Sequence, residues 1–299
     1  MKKLRMLGIV ILVAFLMLIL FVSSCISFKT KRKDADSFFA GRPHQPRYFR
    51  YRNGTRNIHY VEVGEEEKTP VVFVHGSPGS WGAFMGYLGN ERLLARAKLI
   101  SVDRPGFGES DYGVPEKSIA KQAADLKPLL ESQHRPSILV GHSLGGPVIA
   151  RIAMDYPELV ASLVLIAPSI DPNLEKVTWY QTAADWELVS WMVPTDLLTA
   201  NREILPLKAD LQEMLPLWSK ITVPVTIIHG EKDRLVPVAN VDFAQKRLVH
   251  APLTVVREPE LNHFIPWKRG DLVRDAILIH LDFAGSAEQA PSSSGSRPH

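Results

Sequence analysis

Apolar residues in this chain fall into short, nearly unbroken runs. Four of them, at 71–74, 99–102, 138–140 and 163–166, are separated by stretches with helical spacing. A strand that is apolar at every position is covered on both faces, so the pattern predicts a parallel sheet between two layers of helices. Two earlier segments, 48–51 and 58–63, read as strands joined through Asn53-Gly54, a dipeptide suited to a tight hairpin turn. The run pattern stops near Ser169 and resumes at 225–228 and 253–256, before an amphipathic helix from about 267 to 283. The predicted fold class is therefore α/β, with a mostly parallel, eight-stranded sheet. Residues 170–219 hold no strand run and read as short helices. They carry four of the six tryptophans, Trp179, Trp186, Trp191 and Trp218. An insertion at this point lies over the strand ends, so it is expected to form a cap, with one or two of its aromatics lining a pocket.

The N-terminus has a different character. Lys2, Lys3 and Arg5 precede seventeen residues, 6–22, without a polar side chain, and Ser23-Ser24-Cys25 follows. This is an export pattern, long for a cleaved signal and slightly short for a membrane span. Val22-Ser23-Ser24-Cys25 resembles the bacterial lipobox, and Cys25 is the only cysteine in the chain. Lipidation at Cys25 is the expectation; an uncleaved membrane helix is the alternative. Either one tethers the protein to a membrane, in a bacterial cell envelope facing the periplasm or the exterior. Residues 1–25 are thus the anchor, and 26–46, basic and then Pro-rich, a linker. The tail 284–299, rich in Ser, Pro and Gly, is expected to be disordered.

Charge narrows the partners. The first 36 residues carry seven Lys or Arg against two Asp, so the net +3 of the chain becomes about −2 beyond them. No basic stripe remains, which excludes nucleic acid as the partner of the folded part. His-Glu-x-x-His spacing is missing, and the glycines of 103–108 lack the lysine of a phosphate cradle. No metal and no cofactor are expected.

The chemistry centres on Gly141-His142-Ser143-Leu144-Gly145, directly after the run at 138–140. A strand that turns sharply through such a pentapeptide into a helix exposes its serine as a nucleophile. A serine hydroxyl then needs a base within reach. His263, in a loop after the last strand and before the last helix, is the best placed of the ten histidines. His142 is expected to point away from the site, and His75 and His229 to be structural. Asp233 is the candidate acid, with Glu231 a weaker rival. An oxyanion needs preorganised donors; the N–H of Leu144, at a helix start, is one.

Four segments in order carry a resemblance: His75-Gly76-Ser77-Pro78-Gly79, Asp103-Arg104-Pro105-Gly106-Phe107-Gly108, the elbow at Ser143, and the pair His229–Asp233 with Asn262-His263-Phe264. On these, residues 47–283 resemble the α/β-hydrolase fold superfamily, in the manner of an esterase or lipase with a short cap. The resemblance implies a hydrolase core of 47–169 and 220–283, a triad Ser143-Asp233-His263, and the N–H of Ser77 as second oxyanion donor. It implies a structural role for the turn at 103–108. Serine at the elbow sets the chain apart from related dehalogenases and epoxide hydrolases, which place Asp there. The expected activity is cleavage of a small-molecule carboxylic ester, apolar or aryl in its acyl part, lipid-derived esters included, through an acyl-enzyme. The alternatives are hydrolysis of a carbon–carbon bond in a ring-cleavage product, and a hydrolase-fold ligand-binding protein with little turnover.

Overall fold

The computed structural model describes residues 26–289 together with Met6 and Met17. The expectations for the anchor, Cys25 included, and for residues 290–299 fall outside the described residues. Among the described residues no helix is long and apolar enough to cross a membrane.

Eight strands form one sheet: β1 (Arg47–Asn53), β2 (Arg56–Val63), β3 (Thr69–Val74), β4 (Ala97–Val102), β5 (Ser137–His142), β6 (Val160–Ile166), β7 (Val225–Gly230) and β8 (Leu253–Glu258). Their order is β1-β2-β4-β3-β5-β6-β7-β8, with β2 antiparallel to both its neighbours, β1 and β4, and every other pair parallel. All eight expected strands are present. The apolar runs are filled on both faces: Val72 and Val74 of β3 enter one core cluster, Val71 and Phe73 the other. Period-two side-chain alternation sends a continuous apolar run into two cores at once.

Besides three four-residue helices at Met85–Leu88, Glu91–Leu94 and Ile265–Lys268, the helices in chain order are α1 (Arg32–Phe39), α2 (Ile119–Glu131), α3 (Gly145–Asp155), α4 (Trp179–Ala184), α5 (Glu187–Ser190), α6 (Thr195–Ile204), α7 (Leu207–Met214), α8 (Ala239–Arg247) and α9 (Gly270–Gln289). Leu126 of α2 and Val148 of α3 pack on one face of the sheet, Val273 and Ile277 of α9 on the other. Helix α9 continues past 283, so the first residues of the expected tail are helical. The stretch expected as a linker also differs. It contains α1, whose Ala35 and Phe39 are buried in the same cluster as Phe73. Two apolar residues four apart, on one face of a helix, are enough to dock it, and the surrounding Lys and Arg hide them from a composition reading.

Because β3, β5, β7 and β8 run parallel, the loops after them emerge at one edge of the sheet. These are the loops that carry residues 75–79, 143, 231–233 and 259–264, and a switch-point edge of this kind is where such sheets place their chemistry.

Candidate active site

The turn after β5 is tight. Ser143 has φ +53°, its N–H donates to Ile166 O at 2.9 Å, and its carbonyl accepts from Gly146 N. Positive φ at a residue with a side chain costs energy and persists only where neighbours enforce it. Those neighbours are close. A Cβ on Gly145 would sit 2.2 Å from Val74 O, and one on Gly76 would sit 2.9 Å from Ser143 Cβ. The two glycines let the loop after β3 and the start of α3 close around the serine.

The base and acid candidates are joined. His263 Nδ1 lies 2.7 Å from Asp233 Oδ2. The other carboxylate oxygen, Oδ1, accepts from the N–H groups of Leu235 and Val236 at 2.9 and 2.8 Å. Burial opposes ionisation of Asp233, but the hydrogen bonds from His229, His263 and the Val236 N–H prevail and hold it well below the usual carboxylate range. An ionised carboxylate can only accept, so Nδ1 of His263 carries the proton and Nε2 is left as the basic nitrogen. Glu231, the rival acid, is exposed.

Ser143 and His263 line one cavity of about 630 Å³. No hydrogen bond joins the two among the described residues, and such bonds commonly tighten only when substrate binds. The N–H groups of Ser77 and Leu144 have no protein acceptor among the described residues. Ser77 lines the cavity, and its hydroxyl is buried without a partner.

The other histidines are placed by hydrogen bonds. His75 Nε2 accepts from Arg104 N at 3.0 Å, so its Nδ1–H donates to Gly76 O at 2.6 Å. His229 Nε2–H donates to Val236 O. His142 departs from expectation. It lines the cavity, donates Nε2–H to the carbonyl of His263 at 3.0 Å, and sets its ring 4.7 Å from the His263 ring. It acts as a prop for His263, and its place between Gly141 and Ser143 gave no hint of this. The 103–108 turn is structural as expected: Asp103 accepts from the Trp81 and Glu109 N–H groups and pairs with His59.

The pocket walls also differ from expectation. Trp179, Trp186 and Trp191 are exposed, the first at 81%, while Trp218 is buried against Phe243. Helices α4 and α5 are six and four residues long and bury no side chain, so they cannot turn their aromatics inward. The apolar lining comes instead from Phe28, Met85, Leu235, Phe264 and Trp267. The sequence held no periodic signal for these positions; Phe264 belongs to the Asn262-His263-Phe264 motif and Trp267 lies one turn past His263, but Phe28 and Met85 stand near none.

Burial lowers the pKa of three histidines, His75, His142 and His280. His142 is lowered to about 3 by burial and then by the nearby His263, and His280, buried beside Thr226, to about 4. An unfolded histidine titrates near 6.5. Below that pH the unfolded state gains protons that the folded state refuses, so stability falls as pH falls from about 6.5 toward 4, by roughly 1.4 kcal/mol per pH unit for each such group. Urea unfolding across this range should show the slope, and His280→Leu should make it shallower by about one proton. An unchanged slope in the variant would contradict the assignment.

A family model described as the alpha/beta hydrolase family matches residues 71–276. Epoxide hydrolase 4 of Mus musculus is 30% identical over 122 residues, covering 40% of this chain and 33% of that protein. (Lyso)-N-acylphosphatidylethanolamine lipase of Mus musculus is 35% identical over 113 residues, covering 36% and 32%. The chain thus spans about a third of the length of these two relatives. Among solved structures, a membrane phospholipase A described as a bacterial virulence factor superposes with a TM-score of 0.64 at 18% identity, covering 94% of this chain and 98% of that one.

Proposed function

The chain belongs to the α/β-hydrolase family, and from that premise we propose that it is a serine hydrolase cleaving a carboxylic ester through an acyl-enzyme. The observation that carries this reading is the 2.7 Å Asp233–His263 bond, with His263 facing the same cavity as the strained Ser143. His263 Nε2 takes the proton of Ser143 as Oγ attacks the carbonyl carbon. The carbonyl oxygen becomes an oxyanion held by the Ser77 and Leu144 N–H groups. As the tetrahedral centre collapses, the alcohol leaves with the proton from His263, and the acyl group stays on Ser143. Water then attacks the acyl carbon, giving its proton to His263, and the acid departs as Ser143 regains the proton. Asp233 stays ionised throughout and stabilises the imidazolium.

Phe28, Met85, Phe264 and Trp267 favour an apolar acyl or aryl part. A lipid-derived ester fits a chain tethered to a membrane through Cys25 or the apolar run of 6–22, and Ser27, two residues after Cys25, lines the cavity. No part of the reaction as drawn uses a metal or cofactor.

A series of p-nitrophenyl esters, from acetate to palmitate, tests the reading on the full chain in detergent. Turnover with an optimum at medium or long chains is expected. Folded protein that hydrolyses none of them would shift the assignment to carbon–carbon bond hydrolysis or to ligand binding without turnover.

A further inference from the structure

No residue of the cap, 170–219, lines the catalytic cavity, whereas Ser27, Phe28, Lys29 and Thr30 do. The segment that leads from the apolar N-terminus into the domain is therefore a wall of the site. It is pinned on two sides. The N–H of Phe28 donates to Asp196 Oδ2 of α6 at 3.1 Å, and Asp196 is buried, with Tyr112 as its other partner. Ser80 Oγ donates to Phe28 O at 2.7 Å. Because that bond uses the only proton of Ser80, the 2.8 Å contact between Thr30 and Ser80 hydroxyls runs from Thr30 to Ser80.

The core surface is shaped to receive the arm. A Cβ on Gly82 would lie 2.0 Å from Thr30 Oγ1 and 2.7 Å from its Cγ2, so Thr30 occupies the space that any larger residue would need. Ser80 and Gly82 line the cavity too, which makes the seat of the arm continuous with the substrate site.

From these contacts we infer that residues 27–30 set the acyl-chain specificity of the enzyme. The arm does the work that a cap would do: Phe28 gives apolar surface to the acyl group, and the bonds to Asp196 and Ser80 hold it there. With the arm in place the cavity accepts an acyl chain of limited length; with the arm displaced the same side opens and longer chains fit. The inference rests on the serine-hydrolase reading.

The p-nitrophenyl ester series on full-length protein in detergent tests it, with Phe28→Ala, Gly82→Ala and Ser143→Ala. Phe28→Ala removes the apolar face of the wall. Gly82→Ala lifts Thr30 from its seat. In both, the chain-length optimum should move to longer esters, with kcat/KM on the parental best substrate falling roughly tenfold, mostly through KM. A merely structural arm would lower kcat/KM alike at every chain length. Parental optima in both variants, with turnover still dependent on Ser143, would overturn the inference and leave the hydrolase reading intact. Turnover that survives Ser143→Ala would overturn both. Phe28 is half exposed, so Phe28→Ala keeps the test valid if Gly82→Ala does not fold.

Discussion

Asp233→Asn is expected to lower kcat about ten-thousand-fold while leaving the fold intact. The carboxylate divides its work: Oδ1 takes the N–H groups of Leu235 and Val236, and Oδ2 takes Nδ1–H of His263. An asparagine must keep its single oxygen on the two backbone donors, because burying those unpaired is costly. Its NH₂ then faces Nδ1 of His263. The ring can satisfy that donor only by moving its own proton to Nε2, the nitrogen that has to accept from Ser143. The variant thus keeps the contacts and holds the wrong tautomer. Steady-state kinetics, with unfolding midpoints measured alongside, check the expectation. A kcat within tenfold of the parent would remove Asp233 from the triad.

The largest stability effect should come from Glu203→Ala. Arg104 is fully buried and donates Nη1 and Nη2 to Glu203 at 2.7 and 2.8 Å, with Gln122 bridging the pair. Its Nε and Nη2 also reach the carbonyls of His75 and Gly76 at 2.8 and 3.0 Å. One guanidinium therefore joins the loop that carries Ser77 to cap helix α6. Removing Glu203 strands a cation in the core, which costs about 3–5 kcal/mol. A lowered urea midpoint and a reduced kcat are expected together, since the Ser77 loop loses its brace. Arg104→Met with Glu203→Leu removes both charges and should recover most of the stability but not the activity. A loss below about 1 kcal/mol in Glu203→Ala would mean that water or another group solvates the guanidinium.

Six of the strands were legible as apolar runs, which a two-sided core requires, and β1 and β2 through the Asn53-Gly54 turn that joins them. The elbow was legible for a similar reason: Gly141, Ser143 and Gly145 encode a turn whose geometry admits few side chains. The loops carrying Asp233 and His263 could be read from order along the chain, and the structure brings those two side chains together. What could not be read depends on contacts between distant residues. Arg104 and Glu203 are 99 positions apart, and neither stands in a pattern that points to the other. The arm is held by backbone groups of Phe28, whose partners Ser80 and Asp196 look like ordinary surface polar residues in the sequence. Composition pointed the other way there, since lysines and arginines around α1 read as a solvated linker. The cap aromatics misled because tryptophan usually signals burial, whereas helices of four and six residues have no inward face to offer.

The central claim is that Ser143 carries the acyl group. A p-nitrophenyl alkylphosphonate tests this most directly, because attack by a serine on its phosphorus expels p-nitrophenolate and leaves a stable adduct. Full-length protein should release one equivalent of p-nitrophenolate and gain one phosphonyl group, mapped by peptide mass to Ser143, and Ser143→Ala should do neither. An adduct on another residue, or none on folded protein that hydrolyses esters, would contradict the account.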